Sequence, residues 1–371
     1  MKKVIGIGAA FFALALTLFP AVSITAARNA LSLCMDTLVP SLFPFFVCAN
    51  LLICSGITAR AGRFFEKPSR FLFRVGGEGA ASVFLGFISG YPAGAAVTCR
   101  LYANGSISRD EAHRLLAFTN NAGPLFIIGA VGTALYSRPM VGYLLLAVQT
   151  LSSLFTGFCM RFSGGSALEN RTRMPRPATD PVGDAVHTVL NLCGYVLFFS
   201  VASAFLDHIG ILRLCRRFLA MLGMGEKTAE LCLKGLLEIS AVTKYKGALP
   251  ATAALLSFGG LSVFLQTASL VKKAGLSMKS YVLGKVLSTG CSAFFCRLLL
   301  PLFSQSVSVS ALSAPQTWEK AVFWGGYSLP AVRAGLAICL LFLCRKKLQK
   351  NTSYGTIRKK DKRSRNDYIL Q

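Results

Sequence analysis

FLGFISGYPAGAAVTCRLYANGSISRDEAHRLLAFTNNAGPLFII, residues 84–128, decides how the rest of the chain is read. It holds two apolar segments, each interrupted at its middle. The first break is Ser89-Gly90-Tyr91-Pro92-Ala93-Gly94 and the second is Asn120-Asn121-Ala122-Gly123-Pro124. Glycine and proline undo helical hydrogen bonding, and backbone groups freed at membrane depth are tolerated only where protein or a wet cavity surrounds them. Paired broken helices in a polytopic protein therefore point to a binding site near the bilayer midplane.

Composition places the chain in a membrane. Of 371 residues, 53% are hydrophobic and 15% charged, and the mean hydropathy is +0.55. A soluble chain would be about a quarter charged. The net charge of +25 comes from Lys and Arg in short loops between apolar segments and in a C-terminal tail. That distribution follows the orientation rule for cytoplasmic loops and argues against a nucleic-acid partner. Most of the 12 cysteines fall inside apolar segments, no CxxC occurs, and His113, His187 and His208 are scattered. Small buried thiols are expected, with no disulfide framework and no metal site. No nucleotide-binding loop or hydrolase elbow is present, so the expectation is a protein that is not an enzyme and carries no cofactor.

Counting crossings between basic loops sets the topology. Residues 4–25 follow Lys2-Lys3 and end near a cleavage-like Ala26-Ala27, but the apolar run is long for a signal peptide. Residues 1–27 are read as an uncleaved first span with a cytoplasmic N-terminus. Residues 37–54 form a second span, kinked by Pro40 and Pro44, and then a loop with Arg60, Arg63, Lys67, Arg70 and Arg74 is cytoplasmic. The next basic loop, 161–176, should be cytoplasmic too, yet three apolar segments intervene: 80–99, 115–136 and 139–160. One of them cannot cross. The Gly-Tyr-Pro-Ala-Gly centre of 80–99 lets it enter, turn and leave on one side as a re-entrant hairpin, while 115–136 crosses with its break and 139–160 returns.

Beyond a Pro/Ser/Arg-rich linker the pattern recurs. Residues 184–206 resemble 29–52, sharing Leu33-Cys34 with Leu192-Cys193, and GITARAGRFF aligns with GILRLCRRFL. LGFISG (85–90) pairs with KGLLEIS (234–240), LLAFTNNAGPLFI (115–127) with ALLSFGGLSVFLQ (254–266), and Tyr143 with Tyr281. One re-entrant element and three crossings per copy force the second copy to run upside down. The expected fold is an all-α polytopic membrane protein of about eight transmembrane helices plus two re-entrant hairpins in an inverted repeat. Its parts are a first span (1–27), repeat 1 (28–160, hairpin 80–99), a linker (161–184), repeat 2 (185–303, hairpin about 229–247), an outer loop and last span (304–344), and a basic cytoplasmic tail (345–371). Lys272, Lys273, Lys279 and the tail then lie inside, as the charge rule asks. Arg213, Arg216, Arg217 and Lys227 would face outward, with interfacial snorkelling as their only account.

Polar groups at membrane depth are the candidate binding residues. Asn120 and Asn121 offer amide donors and acceptors beside carbonyls freed by Gly123-Pro124, against the alternative that they only cap the break. Glu238, in the second hairpin, suits coupling to a proton or cation, against an ion pair with Lys234 four residues earlier on the same helical face. Ser240 follows it, Gly259 and Gly260 form the matching break, and Gln266 lies further on. Ser89 precedes the first hairpin turn. Gly90 and Gly94 are most simply steric, with Tyr91 and Pro92 shaping the turn.

FISGYPAGAAVTCRLY, GSISRDEAHRLLAFTNNAGPLFIIGAVG and GLLEIS resemble the sporulation integral membrane protein YlbJ family, within the nucleoside-recognition or "Gate" group, which is also related to the membrane domain of ferrous-iron transporters. The resemblance runs from about Arg28 to Pro301. It implies an endospore former, a role in late envelope or cortex formation, and residence in a cell membrane. The family's hairpin motif falls on Gly90, Tyr91, Pro92 and Gly94, its Asn motif on Asn120, Asn121, Gly123 and Pro124, and its Glu on Glu238. Where family members tend to continue with Thr-Asn-Gly, this chain has Ser240-Ala241-Val242. Two functions follow as expectations. One is a transporter or gated pore for a small polar solute, nucleoside-like or an ion; the other is a non-transporting scaffold for spore envelope assembly. The lipid bilayer is a partner in both, and a homo-oligomer is left open.

Overall fold

A helix satisfies its own backbone groups segment by segment, which an apolar chain in lipid requires. The computed structural model describes residues 2–55, 57–163 and 180–303, all within the unit Met1–Ala314. These residues form 14 α-helices with short 3-10 and π segments, and no strand. Most of the linker, the outer loop and last span expected at 304–344, and the tail at 345–371 lie outside the described residues.

The expected first span is bent. Helix α1 (Lys2–Leu18) ends at Phe19, whose φ of −127° leaves the helical region, and α2 (Pro20–Leu33) starts on a proline with no N–H to lose. The apolar stretches on either side meet at 100°. A π turn, Cys34–Leu38, follows, in which Val39 N–H bonds to the Cys34 carbonyl five residues back. The ring of Pro40 forces this widening, because it collides with the carbonyl four residues earlier. Helix α3 (Val39–Cys54) keeps Pro44 inside. Its apolar part shrinks to Leu42–Leu52, shorter than a crossing.

The next stretch, read as a basic loop, is instead a helix, α4 (Ile57–Phe73). Arg60, Arg63, Lys67 and Arg70 recur at helical spacing among phenylalanines, and Phe64 and Phe71 are exposed, the pattern of a helix lying along an interface. A crossing count cannot see this, since an interfacial helix adds charge without adding a span. Gly62 of α4 rests directly on Gly77, which starts a 3-10 turn, Gly77–Gly79.

Residues 80–103 form two helices folded back on each other. Helices α5 (Ala80–Ser89) and α6 (Ala93–Ala103) fold about Gly90, whose φ of +88° favours glycine, and the Tyr91–Pro92 peptide is cis. The arms pair symmetrically about that point: Ser82 Oγ lies 2.5 Å from Thr98 Oγ1, and Gly86 faces the Cα of Gly94. Both glycines also press on the Thr119 carbonyl oxygen, so they admit the second break as well as the opposite arm. Helix α7 (Arg109–Leu116) is fixed by a capping box between Ser108 and Glu111. The Glu111 carboxylate also accepts from Gly76 N at 2.7 Å, tying α7 to the start of the hairpin. The chain then runs without regular structure to Gly123, continues as a π-helix over Leu125–Leu135, and turns into α8 (Pro139–Met160).

In the second half the long helix α9 (Pro181–His208) leads to α10 (Ile211–Met221), amphipathic like α4, with Leu214, Phe218 and Met221 exposed and Arg216 3.6 Å from Glu230. Helix α11 (Glu226–Leu237) ends at Glu238, and the chain returns as a 3-10 turn, Ile239–Thr243, followed by an irregular stretch. Contacts of Gly235 with Val242, Lys234 with Tyr245 and Thr228 with Ala248 show antiparallel return. Over about 229–247 the chain thus folds back on itself, with one arm non-helical. Helices α12 (Leu249–Phe258) and α13 (Gly260–Lys273) join through Gly259 and Gly260, at φ of +88° and +75°. Helix α14 (Lys279–Leu299) packs against α8 and α12.

Among the described residues four stretches are long and apolar enough to cross a membrane: α8, α9, α12 with α13, and α14. Counting each sharply bent helix pair as one span raises this to six, against about eight expected, one of them outside the described residues. The chain is a multi-pass helical membrane protein.

A Cβ on Gly94 would run into the Thr119 carbonyl, whereas one on Gly290 of α14 meets nothing within 4 Å. Gly94→Ala should lower stability by roughly 1–3 kcal/mol, seen as a lower melting temperature in detergent, with Gly290→Ala unchanged or raised. His113, on α7, accepts from Ser277 N at 3.2 Å. Burial, with Arg109 beside it, holds its pKa below the ordinary 6.5. The fold therefore favours the neutral ring, a contribution present above about pH 6.5 and lost as pH falls through the lowered value. Melting temperature should drop less on acidification in His113→Gln than in the unaltered protein.

Candidate functional site

Breaking a helix inside an apolar protein leaves carbonyls that must find donors. In the first break the Asn121 side chain donates to Phe118 O (2.8 Å), Gln149 Nε2 of α8 donates to Ala122 O (3.0 Å), and Lys285 Nζ of α14 donates to Asn120 O (2.5 Å). In the second break, at the C-terminal end of α12, Lys285 also donates to Ser257 O at 2.8 Å, and the Tyr91 hydroxyl donates to Leu256 O. The Lys285 ammonium lies 4.9 Å from the Tyr91 ring centroid and 5.8 Å from that of Tyr281. A cation is well placed here, because the carbonyl end of a helix is its negative pole. Gly259 lacks a side chain where Tyr91 passes; a Cβ there would come within 3.1 Å of the ring.

Asn120 and Asn121 belong to this framework. Asn120 donates to Thr267 Oγ1 (2.9 Å) and Asn121 Oδ1 accepts from Ser153 (2.8 Å); both residues are buried and neither reaches the cavity described next. Behind them a serine cluster links three helices, with Ser292 bonded to Ser152 and Ser257.

In front of the framework lies a half-open cavity of about 590 Å³. The first hairpin contributes Ser89, Gly90 and Tyr91, the first break Gly123, and the second half Glu238, Ser240 and Gln266. Seven candidate residues thus share one wall. Pro92, Gly94, Asn120, Asn121, Gly259 and Gly260 stand behind it. The rest of the lining is mainly apolar, including Phe45, Leu192 and Val263, with Asp36 exposed at the edge.

Glu238 is 4% exposed and caps the 3-10 turn by accepting from Ser240 N at 3.1 Å. The alternative pairing with Lys234 is not made. Lys234 Nζ turns to Asp207 (2.9 Å), Glu230 (3.2 Å) and Tyr245 (2.7 Å). Among the described residues Glu238 has no ion pair.

No family model matches the chain, and no solved structure does. The sporulation integral membrane protein YlbJ of Bacillus subtilis (strain 168) is 29% identical over 324 residues, covering 77% of this chain and 79% of that protein. The chain is a YlbJ homologue. Lys285 belongs to no motif, yet a lysine inside the apolar run YVLGKVLSTG is itself a signal, since a charge in a spanning helix needs a reason. Gln149 carried a weaker form of the same signal.

Replacing Lys285 by Met would leave the Asn120 and Ser257 carbonyls without their donor, at roughly 1–3 kcal/mol each. Purified Lys285→Met should melt well below the unaltered protein in detergent, while Lys273→Met, at an exposed position, should not.

Proposed function

We propose that this YlbJ homologue is a sporulation-associated transporter or gated pore, not an enzyme, for a small polar solute used in forming the spore envelope or cortex. One observation carries the reading: elements from both halves of the chain, hairpin apices and a break among them, line one cavity whose wall holds a buried carboxylate with no ion pair among the described residues. Stable proteins seldom keep such a group unless it meets something that comes and goes.

The recurrence of elements supports a duplication. The sequence-matched segments land on elements of the same kind, amphipathic α4 with α10 and a break after α7 with the break after α12. An inverted repeat with two re-entrant hairpins, about eight spans and both termini in the cytoplasm is the arrangement we assign. Its mechanism would be rocking or gating of one half against the other around the cavity.

Reconstituted into proteoliposomes, the protein should take up a solute from a panel of nucleosides, amino acids and ions, and Glu238→Gln should abolish or strongly reduce that uptake. Absence of flux for the whole panel, together with normal sporulation in cells carrying Glu238→Gln at normal protein level, would replace this reading with the scaffold one.

A further inference from the structure

The cavity's polar groups are unevenly matched. Glu238 Oε2 is buried and, with Ser240 and Ser262 beside it, still meets no donor in hydrogen-bond geometry among the described residues. Gln266 is 4% exposed; its Nε2 donates to Ser262 Oγ at 3.1 Å, which leaves its Oε1 buried and without a partner. Both side chains are on the cavity wall. Both lack a donor. A buried acceptor left unpaired costs about 1–3 kcal/mol, and unlike the equally unpaired Asn120 Oδ1 and Gln149 Oε1 these two belong to cavity-lining residues, where a bound molecule can present N–H or O–H groups.

Charge gives the same answer. The wall has two ionisable acids, Asp36 and Glu238, and among the described residues no Lys, Arg or His, in a chain with 40 Lys and Arg. Lys234, four residues before Glu238, turns to Asp207, Glu230 and Tyr245, and Lys285 is committed to the Asn120 and Ser257 carbonyls. An anion would meet a carboxylate and a carbonyl oxygen with no cationic side chain among the described lining residues to offset them. Apart from Ser89, Tyr91 and Ser240 the remaining wall is mainly apolar, and at its rim Ile88 and Leu125 are 59% and 69% exposed, so the body of the molecule meets hydrocarbon.

We infer that the cavity binds an organic molecule with an apolar body and a donor head, cationic or neutral, and rejects anions. This rests on reading the cavity as a solute site and narrows the solute's class. Glu238 would face the donor or ammonium head, Gln266 Oε1 would take a second donor, and the apolar walls would hold the body.

Three probes of one body and different heads test it: 2-phenylethylammonium, phenylacetamide and phenylacetate, titrated against the full-length protein in detergent by calorimetry. The expected order is ammonium, then amide, with phenylacetate weakest. Glu238→Gln should cut ammonium affinity by about tenfold and leave the amide less affected; Gln266→Leu should weaken both. Both variants are first checked for an unchanged gel-filtration profile. Phenylacetate binding as well as the ammonium, or no saturable binding by any of the three, would overturn the inference. Saturable binding in the expected order without flux in proteoliposomes would remove the transport reading and leave this one standing, while flux of an anion sensitive to Glu238→Gln would do the reverse.

Discussion

A carbonyl inside a membrane protein needs a donor, and the arrangement of this chain follows from how that need is met at two broken helices. Each break frees peptide oxygens that lipid cannot serve. The donors come from elsewhere in the fold: Gln149 from α8, Tyr91 from the first hairpin, and above all Lys285 from α14, whose single ammonium serves both breaks. The close glycine contacts make this possible. Without Gly86 and Gly94 the segment around Thr119 could not lie against the hairpin, and without Gly259 the Tyr91 ring could not pass.

This division separates framework from wall. The asparagines, the serine cluster and Lys285 are internally bonded and form the backing. The cavity face is mostly apolar, and its few polar groups are only partly satisfied. The bonds that hold the broken segments lie behind the candidate site, and of the buried acceptors without a partner among the described residues, Glu238 Oε2 and Gln266 Oε1 belong to residues that line the cavity.

How much of this could be read in the sequence depends on the range of the interaction. Breaks at Gly90 to Pro92, at Asn120 to Pro124 and at Gly259-Gly260 were legible because glycine and proline act locally, on their own φ and N–H. The hairpin positions followed from them. The partners of the freed carbonyls were not legible, because Asn120 and Lys285 are 165 residues apart and no local pattern joins them. The same gap explains the asparagines: their chemistry suits a solute, but which way they face was settled by Thr267 and Ser153 on other helices. Amphipathic α4 was missed for a different reason. Charge counting treats every basic run between spans as a loop, and only the spacing of Phe64 and Phe71 among the basic residues marks a helix lying flat.

The double grip of Lys285 also has a mechanical meaning. Pulling the two halves apart at that point would strand oxygens on both sides at once, together with the Tyr91 hydroxyl contact. The cheapest rearrangement that widens or shuts the cavity keeps this joint closed and turns about it. In the gating we propose, Lys285 and Tyr91 would act as the fulcrum and the hairpin apices as the ends of the lever.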